Sequence, residues 1–143
     1  MTTIALDTSA VVAWIREEPG ADQVHAVVTH PDADVVLPGP VLVETIHVLR
    51  RLGSTAAGAD IAATLASFGL RVEHPQDGDL VRAAALLELK PAAGTVSLAD
   101  ALILAVVERL ECAVVTGDRL WSDITAAGAT SAKVVVLRRD GAD

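Results

Sequence analysis

Thr2-Thr3-Ile4-Ala5-Leu6-Asp7-Thr8-Ser9-Ala10-Val11-Val12-Ala13-Trp14-Ile15 reads as a short buried strand that turns, at an aspartate, straight into a helix. Thr2 to Leu6 is too brief and too apolar for a solvated helix, and the helix that follows runs to about Glu17, where Pro19-Gly20 stops it. The same strand-to-helix alternation continues outward along the chain. A helix over Ala21 to Thr29 leads to a strand at Val35 to Leu37, and Pro38-Gly39-Pro40 leads into a helix from about Val41 to Leu52. Ser54 or Thr55 is expected to cap the next helix, which ends near Phe68-Gly69; Leu70 to Glu73 is a strand. Asp77 or Asp79 opens a helix through Leu89 that Pro91 closes, and Ser97 to Glu111 is the strongest helix of all. Ala113 to Thr116 is a strand, Asp118 to Ala127 a helix, Lys133 to Leu137 a last strand, and the tail after Arg138 looks loose. Short apolar strands alternating with helices predict an α/β domain with a mainly parallel central sheet.

Composition narrows the function. The 143 residues suit one domain, 1–143, that buries about 70% of its unfolded surface. Hydrophobic residues are 52% of the chain, but the longest apolar stretch, Ala101 to Val107, is far short of the roughly 18 residues a membrane crossing needs. No basic segment precedes an apolar one at the amino end, so no secretory signal is expected. Cys112, the single cysteine, cannot form an internal disulfide and reads as a small core residue. A net charge of −8 excludes holding nucleic acid through the overall field, and three aromatics (Trp14, Phe68, Trp121) are too few for a base-stacking platform. Any nucleic-acid role must rest on local contacts.

Four acids stand alone in apolar or uncharged runs. Asp7 separates Ile4-Ala5-Leu6 from Ala10-Val11-Val12, and Glu44 sits in Val41-Leu42-Val43-Glu44-Thr45-Ile46. Asp100 is the one charged residue between Lys90 and Glu108; Asp118 follows Ala113-Val114-Val115-Thr116-Gly117. An unpaired carboxylate in such surroundings costs several kcal/mol or takes up a proton. Asp7 and Asp118 each follow a strand, at the sheet edge where α/β proteins collect ligands. Two carboxylates ~4 Å apart repel by about 4 kcal/mol at an effective dielectric of 20, so a shared hard cation, Mg²⁺ or Mn²⁺, accounts for the pattern economically. His25, His30, His47 and His74 lack ligand spacing, which disfavours zinc.

Each acid also has an ordinary reading. Ser97-Leu98-Ala99-Asp100 matches a capping box, Asp7 and Asp118 could be N-caps, and Glu44 could answer a helix dipole. Ser9, Thr8 and Thr116 could bond a carboxylate or a water at the ion, or merely cap helices. Glu44, His47 and Arg51 share one helix face, with Arg51 roughly 10 Å from Glu44 along the axis, a reach that suits a neighbouring phosphate as well as a solvated stripe. Arg119 beside Asp118 is a second possible phosphate contact. Trp14 and Trp121 read as core packing.

With these motifs assembled, the chain resembles the PIN-domain ribonucleases, in the VapC-like toxin branch of type II toxin–antitoxin pairs. The resemblance rests on Ile4-Ala5-Leu6-Asp7-Thr8-Ser9-Ala10, Glu44 ahead of Leu49-Arg50-Arg51, Ser97-Leu98-Ala99-Asp100-Ala101-Leu102-Ile103-Leu104-Ala105, and Val114-Val115-Thr116-Gly117-Asp118-Arg119-Leu120-Trp121. It implies a three-layer α/β/α sandwich with a mostly parallel sheet and a cytoplasmic, Mg²⁺- or Mn²⁺-dependent endoribonuclease. It places Asp7, Glu44, Asp100 and Asp118 in the catalytic pocket, with Asp7 and Asp100 as metal ligands. It further implies a homodimer, inhibited by a cognate antitoxin whose tail enters that pocket.

The expected chemistry is attack of an activated water on an RNA phosphodiester, leaving 5′-phosphate and 3′-hydroxyl ends. Two rivals compete. An aspartyl-phosphate hydrolase or receiver-type module would also place an aspartate after its first strand, but needs a lysine nearby, and only Lys90 and Lys133 exist. A non-catalytic α/β interaction module would bind no divalent cation.

Overall fold

A computed structural model describes residues 1–89 and 96–138. Five strands form one sheet, β1 (Thr2–Leu6), β2 (Ala33–Pro38), β3 (Arg71–Glu73), β4 (Ala113–Thr116) and β5 (Lys133–Val136), in the order β3-β2-β1-β4-β5. Every pairing is parallel, so the expected mainly parallel sheet is wholly so. Ala5 pairs with Val36 on one side and Val114 on the other, which makes β1 the central strand. The central strands are continuous apolar runs because helices cover both faces: Ala5, Leu6, Val36 and Val114 are fully buried.

The helices are α1 (Thr8–Ile15), α2 (Ala21–Val28), α3 (Gly39–Arg51), α4 (Gly58–Ser67), α5 (Asp77–Glu88), α6 (Leu98–Leu110) and α7 (Leu120–Ala126). From β1 the chain steps to β2 and then β3 in one direction, and returns through α5 and α6 to β4 and β5 in the other. Right-handed crossovers therefore set α1–α4 on one face and α5–α7 on the opposite face, the three-layer sandwich expected. Helix α6 lies deepest, with Ile103, Leu104, Ala105, Val106 and Val107 all buried, which explains the uncharged run from Ala101 to Val107.

Several boundaries differ from the sequence expectation: α1 ends at Ile15 rather than Glu17, β2 spans Ala33–Pro38 rather than Val35–Leu37, and three helix starts differ for identifiable reasons. Helix α3 begins at Gly39 rather than Val41, because Pro40 falls in the first turn, where its missing N–H is not needed. Neither Ser54 nor Thr55 caps α4: Ser54 Oγ instead accepts the Ala56 N–H at 3.3 Å, and the extended Ala57 precedes the helix. Asp118 does not open α7 either. The helix starts at Leu120, whose N–H donates to Asp118 Oδ1 at 2.9 Å, so the aspartate bridges the turn ahead of it. Closure of α5 by Pro91 and the looseness of the tail beyond Arg138 fall outside the described residues.

The candidate acidic site

Because the sheet is parallel, all strands end on one edge, and Asp7 and Thr116 sit side by side where β1 and β4 finish. Asp7 is the N-cap residue of α1, yet its side chain makes no cap bond. Its carboxylate is 5% exposed and takes two hydroxyl protons on the same oxygen, Oδ2: Thr116 Oγ1 donates at 2.8 Å and Ser9 Oγ at 3.1 Å. Each hydroxyl is in turn fixed by a backbone donor, Asp118 N–H to Thr116 Oγ1 at 3.0 Å and Gly117 N–H to Ser9 Oγ at 2.8 Å. With their single protons committed to Asp7, the two hydroxyls lie 3.2 Å apart. No side-chain donor falls on Oδ1 among the described residues, which leaves that oxygen for something else.

Gly117 packs closely on this arrangement: a Cβ there would sit in van der Waals contact with Ser9 Cβ and Oγ, at 3.4 Å each. Across the pocket, Thr8 Oγ1 donates to Glu44 Oε1 at 2.7 Å and so orients a carboxylate carried on α3. Asp100 enters from the first turn of α6. Ser97 Oγ accepts the Asp100 N–H at 3.1 Å, but the return bond of a capping box, from the Ser97 N–H to the Asp100 carboxylate, is not formed. The backbone cap is made by the serine alone, and its hydroxyl also favours the charged form of the Asp100 carboxyl.

The four acids feel one another. Burial pushes the Asp7 carboxyl up to about 6 against the opposing pull of Thr116, Thr8 and Ser9, and the charge of Asp100 adds to the rise. Burial likewise raises Asp100 against an opposing pull from the Ser97 hydroxyl, and the charges of Glu44 and Asp118 raise it further. Among the described residues, no arginine or lysine is a cause of either shift. The sequence-predicted acids from β1, α3, α6 and the β4–α7 turn thus converge on one edge, with Ser9 and Thr116 built into the same hydrogen-bond chain. Arg51 and Arg119 are exposed and form no ion pair among the described residues. Arg51 is the last residue of α3, about two turns beyond Glu44.

Trp121 was expected only to fill the core. It is fully buried, but its indole N–H has no hydrogen bond of ordinary geometry, while its approach to the Asp100 carboxyl offsets part of that group's rise. These observations together describe a near approach short of a formed bond. A buried indole needs an acceptor, so a tryptophan three residues after Asp118 was the available signal. Trp14 behaves differently: half-buried, it packs edge-on to Phe68 at 4.9 Å, and its N–H donates to His25 Nδ1 at 3.3 Å.

The donor set suits a hard cation, being carboxylates and hydroxyls without histidine or cysteine. Among the described residues, no three His, Cys, Asp or Glu side chains are grouped closely enough to hold an ion jointly. The residues therefore fit an ion held by one or two carboxylates, with water completing its shell, which is the habit of Mg²⁺.

This architecture has known counterparts. The PIN domain family model matches residues 4–127, and the chain belongs to that family. The structural neighbours include proteins of VapBC toxin–antitoxin systems. VapBC2 from Rickettsia felis, solved bound to a promoter DNA fragment, is 13% identical, with 96% of this chain and 100% of that one covered at a TM-score of 0.71. VapC20 from Mycobacterium tuberculosis, described as a sarcin–ricin loop cleaving toxin, is 27% identical over 87% of this chain and 95% of its own, with a TM-score of 0.67. VapBC-1 from nontypeable Haemophilus influenzae is 18% identical over 94% and 98%, at 0.68. No curated protein sequence matches the chain. Family and fold together support a toxin nuclease role.

Proposed function

We propose that this chain is a Mg²⁺- or Mn²⁺-dependent endoribonuclease and the toxin of a toxin–antitoxin pair. The observation that carries the reading is the Asp7 carboxyl, buried, raised to about 6 and pressed by Asp100, with no ion-pair partner for either among the described residues. Asp7 and Asp100 would hold the ion, Asp7 through the oxygen that Ser9 and Thr116 leave untouched. When bound, the cation supplies Lewis-acid polarisation of the phosphodiester. Ser9 and Thr116 keep Asp7 in one rotamer. Glu44, steered by Thr8, receives the proton of the attacking water, and Asp118 helps to aim that water. Water attack displaces the 3′-oxygen and gives 5′-phosphate and 3′-hydroxyl ends.

A cognate antitoxin is proposed as partner, since neighbours of this fold were solved as VapBC assemblies. An apolar cleft of about 490 Å³, with Ile15, Leu49, Leu52 and Ile61 in its lining, suits an antitoxin segment, and a homodimer is proposed through Leu80, Val81 and Leu87, which α5 leaves exposed. A cytoplasmic site of action goes with this reading, because its RNA substrate is there; among the described residues no helix is long and apolar enough to cross a membrane. Against the aspartyl-phosphate alternative, Lys133 lies at the amino end of β5, on the sheet edge opposite Asp7.

The test is incubation of partner-free protein with total RNA in Mg²⁺ or Mn²⁺ against chelator, followed by mapping of the ends. Chelator-sensitive cleavage with 5′-phosphates is expected. Cleavage unaffected by chelator, or 2′,3′-cyclic phosphate ends, would overturn the proposal.

A further inference from the structure

Two clefts meet at Leu137 along the edge that carries the acids. The first, about 320 Å³, runs from Ser9 and Gly117 past Ala13 and Pro19 to Leu137, so it opens directly off the hydrogen-bond chain that holds Asp7. The second, about 370 Å³, continues from Leu137 to Arg119 and Arg138, with Ser122, Asp123 and Val136 completing its wall. Their shared floor is firmly held. The Leu137 N–H donates to the Thr116 carbonyl at 2.8 Å, and Gly20, at a φ of +96°, approaches so closely that a Cβ would lie 3.2 Å from the Leu137 side chain. Gln23 pins the next residue from both sides: its Oε1 accepts the Arg138 N–H at 3.2 Å, and its Nε2 donates to the Arg138 carbonyl at 3.3 Å.

Charge makes this path unusual. The protein carries a net −8, and most described arginines are already engaged: Arg16, Arg71, Arg82 and Arg109 in ion pairs, and Arg50 on the Ala56 carbonyl. Arg119 and Arg138 have no ion-pair partner among the described residues, and they share one cleft beside the acidic pocket. Asp123 in the same wall leaves the cleft net positive by one charge, and Glu18 in the first cleft is answered by Arg16 at 3.7 Å. A polyanion repelled by the overall charge needs a local cationic landing beside the acids, and forked guanidinium donors match phosphate oxygens.

We propose that the two joined clefts are the track of a single RNA strand leaving the acidic pocket, with Arg119 and Arg138 holding phosphates beyond the scissile one over the apolar floor of Leu137. The inference rests on the nuclease reading above for its substrate.

Arg119→Gln, Arg138→Gln and the double variant test it, with Lys133→Gln as a control that removes an equal charge at the opposite sheet edge. Binding of a fluorescein-labelled single-stranded RNA of about 20 nucleotides is followed against salt in an Asp100→Asn background with Mg²⁺. Cleavage of the same RNA is followed in the otherwise native protein. The double variant should flatten the plot of log affinity against log salt by about 1.4, at about 0.7 per phosphate contact. It should raise KM about tenfold with kcat little changed, the mark of lost uniform binding. Lys133→Gln should leave the slope alone. Equal effects from all three positions, or an unchanged slope, would overturn the track. If the native protein shows no chelator-sensitive cleavage, the nuclease reading falls, and a flattened slope would still establish the arginine cleft as a phosphate site.

Discussion

Asp79 and Asp100 occupy the same place in two neighbouring helices, the third residue of the first turn, and they lead opposite lives. Asp79 completes a capping box: the Gln76 N–H donates to its Oδ2 at 2.9 Å, and the Gln76 side chain accepts in return. Its remaining charge is met by Arg109 at 2.9 and 3.1 Å, and Arg109 also reaches Glu73. Glu73 and Asp34 share Arg71 in turn, which holds both carboxyls below their usual range. Asp100 receives no such cation, and its carboxyl is not spent on its own cap. One acid cluster is neutralised from within the chain and is structural. The other is left in charge deficit beside Asp7, and in the proposed nuclease a divalent ion would remove that deficit. The difference teaches that burial of an acid is not the signal of function; burial without an internal partner is.

The sharpest way to break this contrast is to make the same substitution on both sides. Asp100→Asn should remove several kcal/mol of transition-state stabilisation, a loss of about 10³-fold in cleavage or more, while metal-free thermal melts show stability unchanged or slightly raised because a repelling charge has gone. Asp79→Asn should do the reverse. Arg109 is left with a buried partner missing, which costs about 2 kcal/mol once its 27% exposure is discounted, and cleavage per folded molecule should persist. A large fall in metal-free stability for Asp100→Asn would show that it, too, is chiefly a helix-end residue.

Asp7 sharpens the comparison through pH. Its carboxyl is pushed up to about 6 in the folded protein from its ordinary 3.8, so the folded state keeps the proton longer than the unfolded one. The Asp7 contribution to the stability of the metal-free protein should be fullest below about pH 4 and decline as pH rises through 6, by up to about 3 kcal/mol in all, then level off. Saturating Mg²⁺, which binds the ionised form, should flatten that decline. Urea titrations across this range, with chelator and with Mg²⁺, check both halves; a metal-free protein that gains stability between pH 4 and 6 would contradict the assignment. The Arg71 pairs work in the opposite sense, since carboxyls held low lend stability that is lost only as pH falls.

Much of this was legible from local pattern. β1, β4 and α6 announce themselves because their burial shows as unbroken apolar runs, and the four acids stand out against the same runs. What could not be read locally depends on residues far apart in the chain. The order β3-β2-β1-β4-β5 is set by pairing across the whole domain, and the fates of Asp79 and Asp100 differ because Arg109 is 30 residues from one and faces away from the other's end of α6. The starts of α3, α4 and α7 were misplaced by proline and Asx-type chemistry, which permits several boundaries. Arg138 escaped notice because nothing in its own segment shows that Gln23, 115 residues earlier, fixes it beside Arg119.

The finest test concerns the hydroxyl that joins the two strand ends. Thr116 is fully buried, donates its proton to Asp7 and accepts the Asp118 N–H, so it orients one acid directly and another through the backbone. Thr116→Val keeps the shape and removes only the oxygen. The Asp118 N–H is then buried without a partner, at a cost of about 1–3 kcal/mol, partly offset if the turn relaxes toward water. Asp7 loses the strongest of the bonds that favour its charged form, so its carboxyl should rise further and bind the cation more weakly at neutral pH. Loss of a supporting bond to a metal ligand weakens metal affinity or activity by about 10–100-fold, well short of the loss from removing Asp100 itself. Excess Mn²⁺ or a higher pH should restore much of it, since both favour the ionised carboxylate. Thr116→Ser, which keeps the hydroxyl, should sit near the native protein in both assays; if it fails as badly as valine, the methyl packing of Thr116 rather than its hydrogen bonds is what the pocket requires.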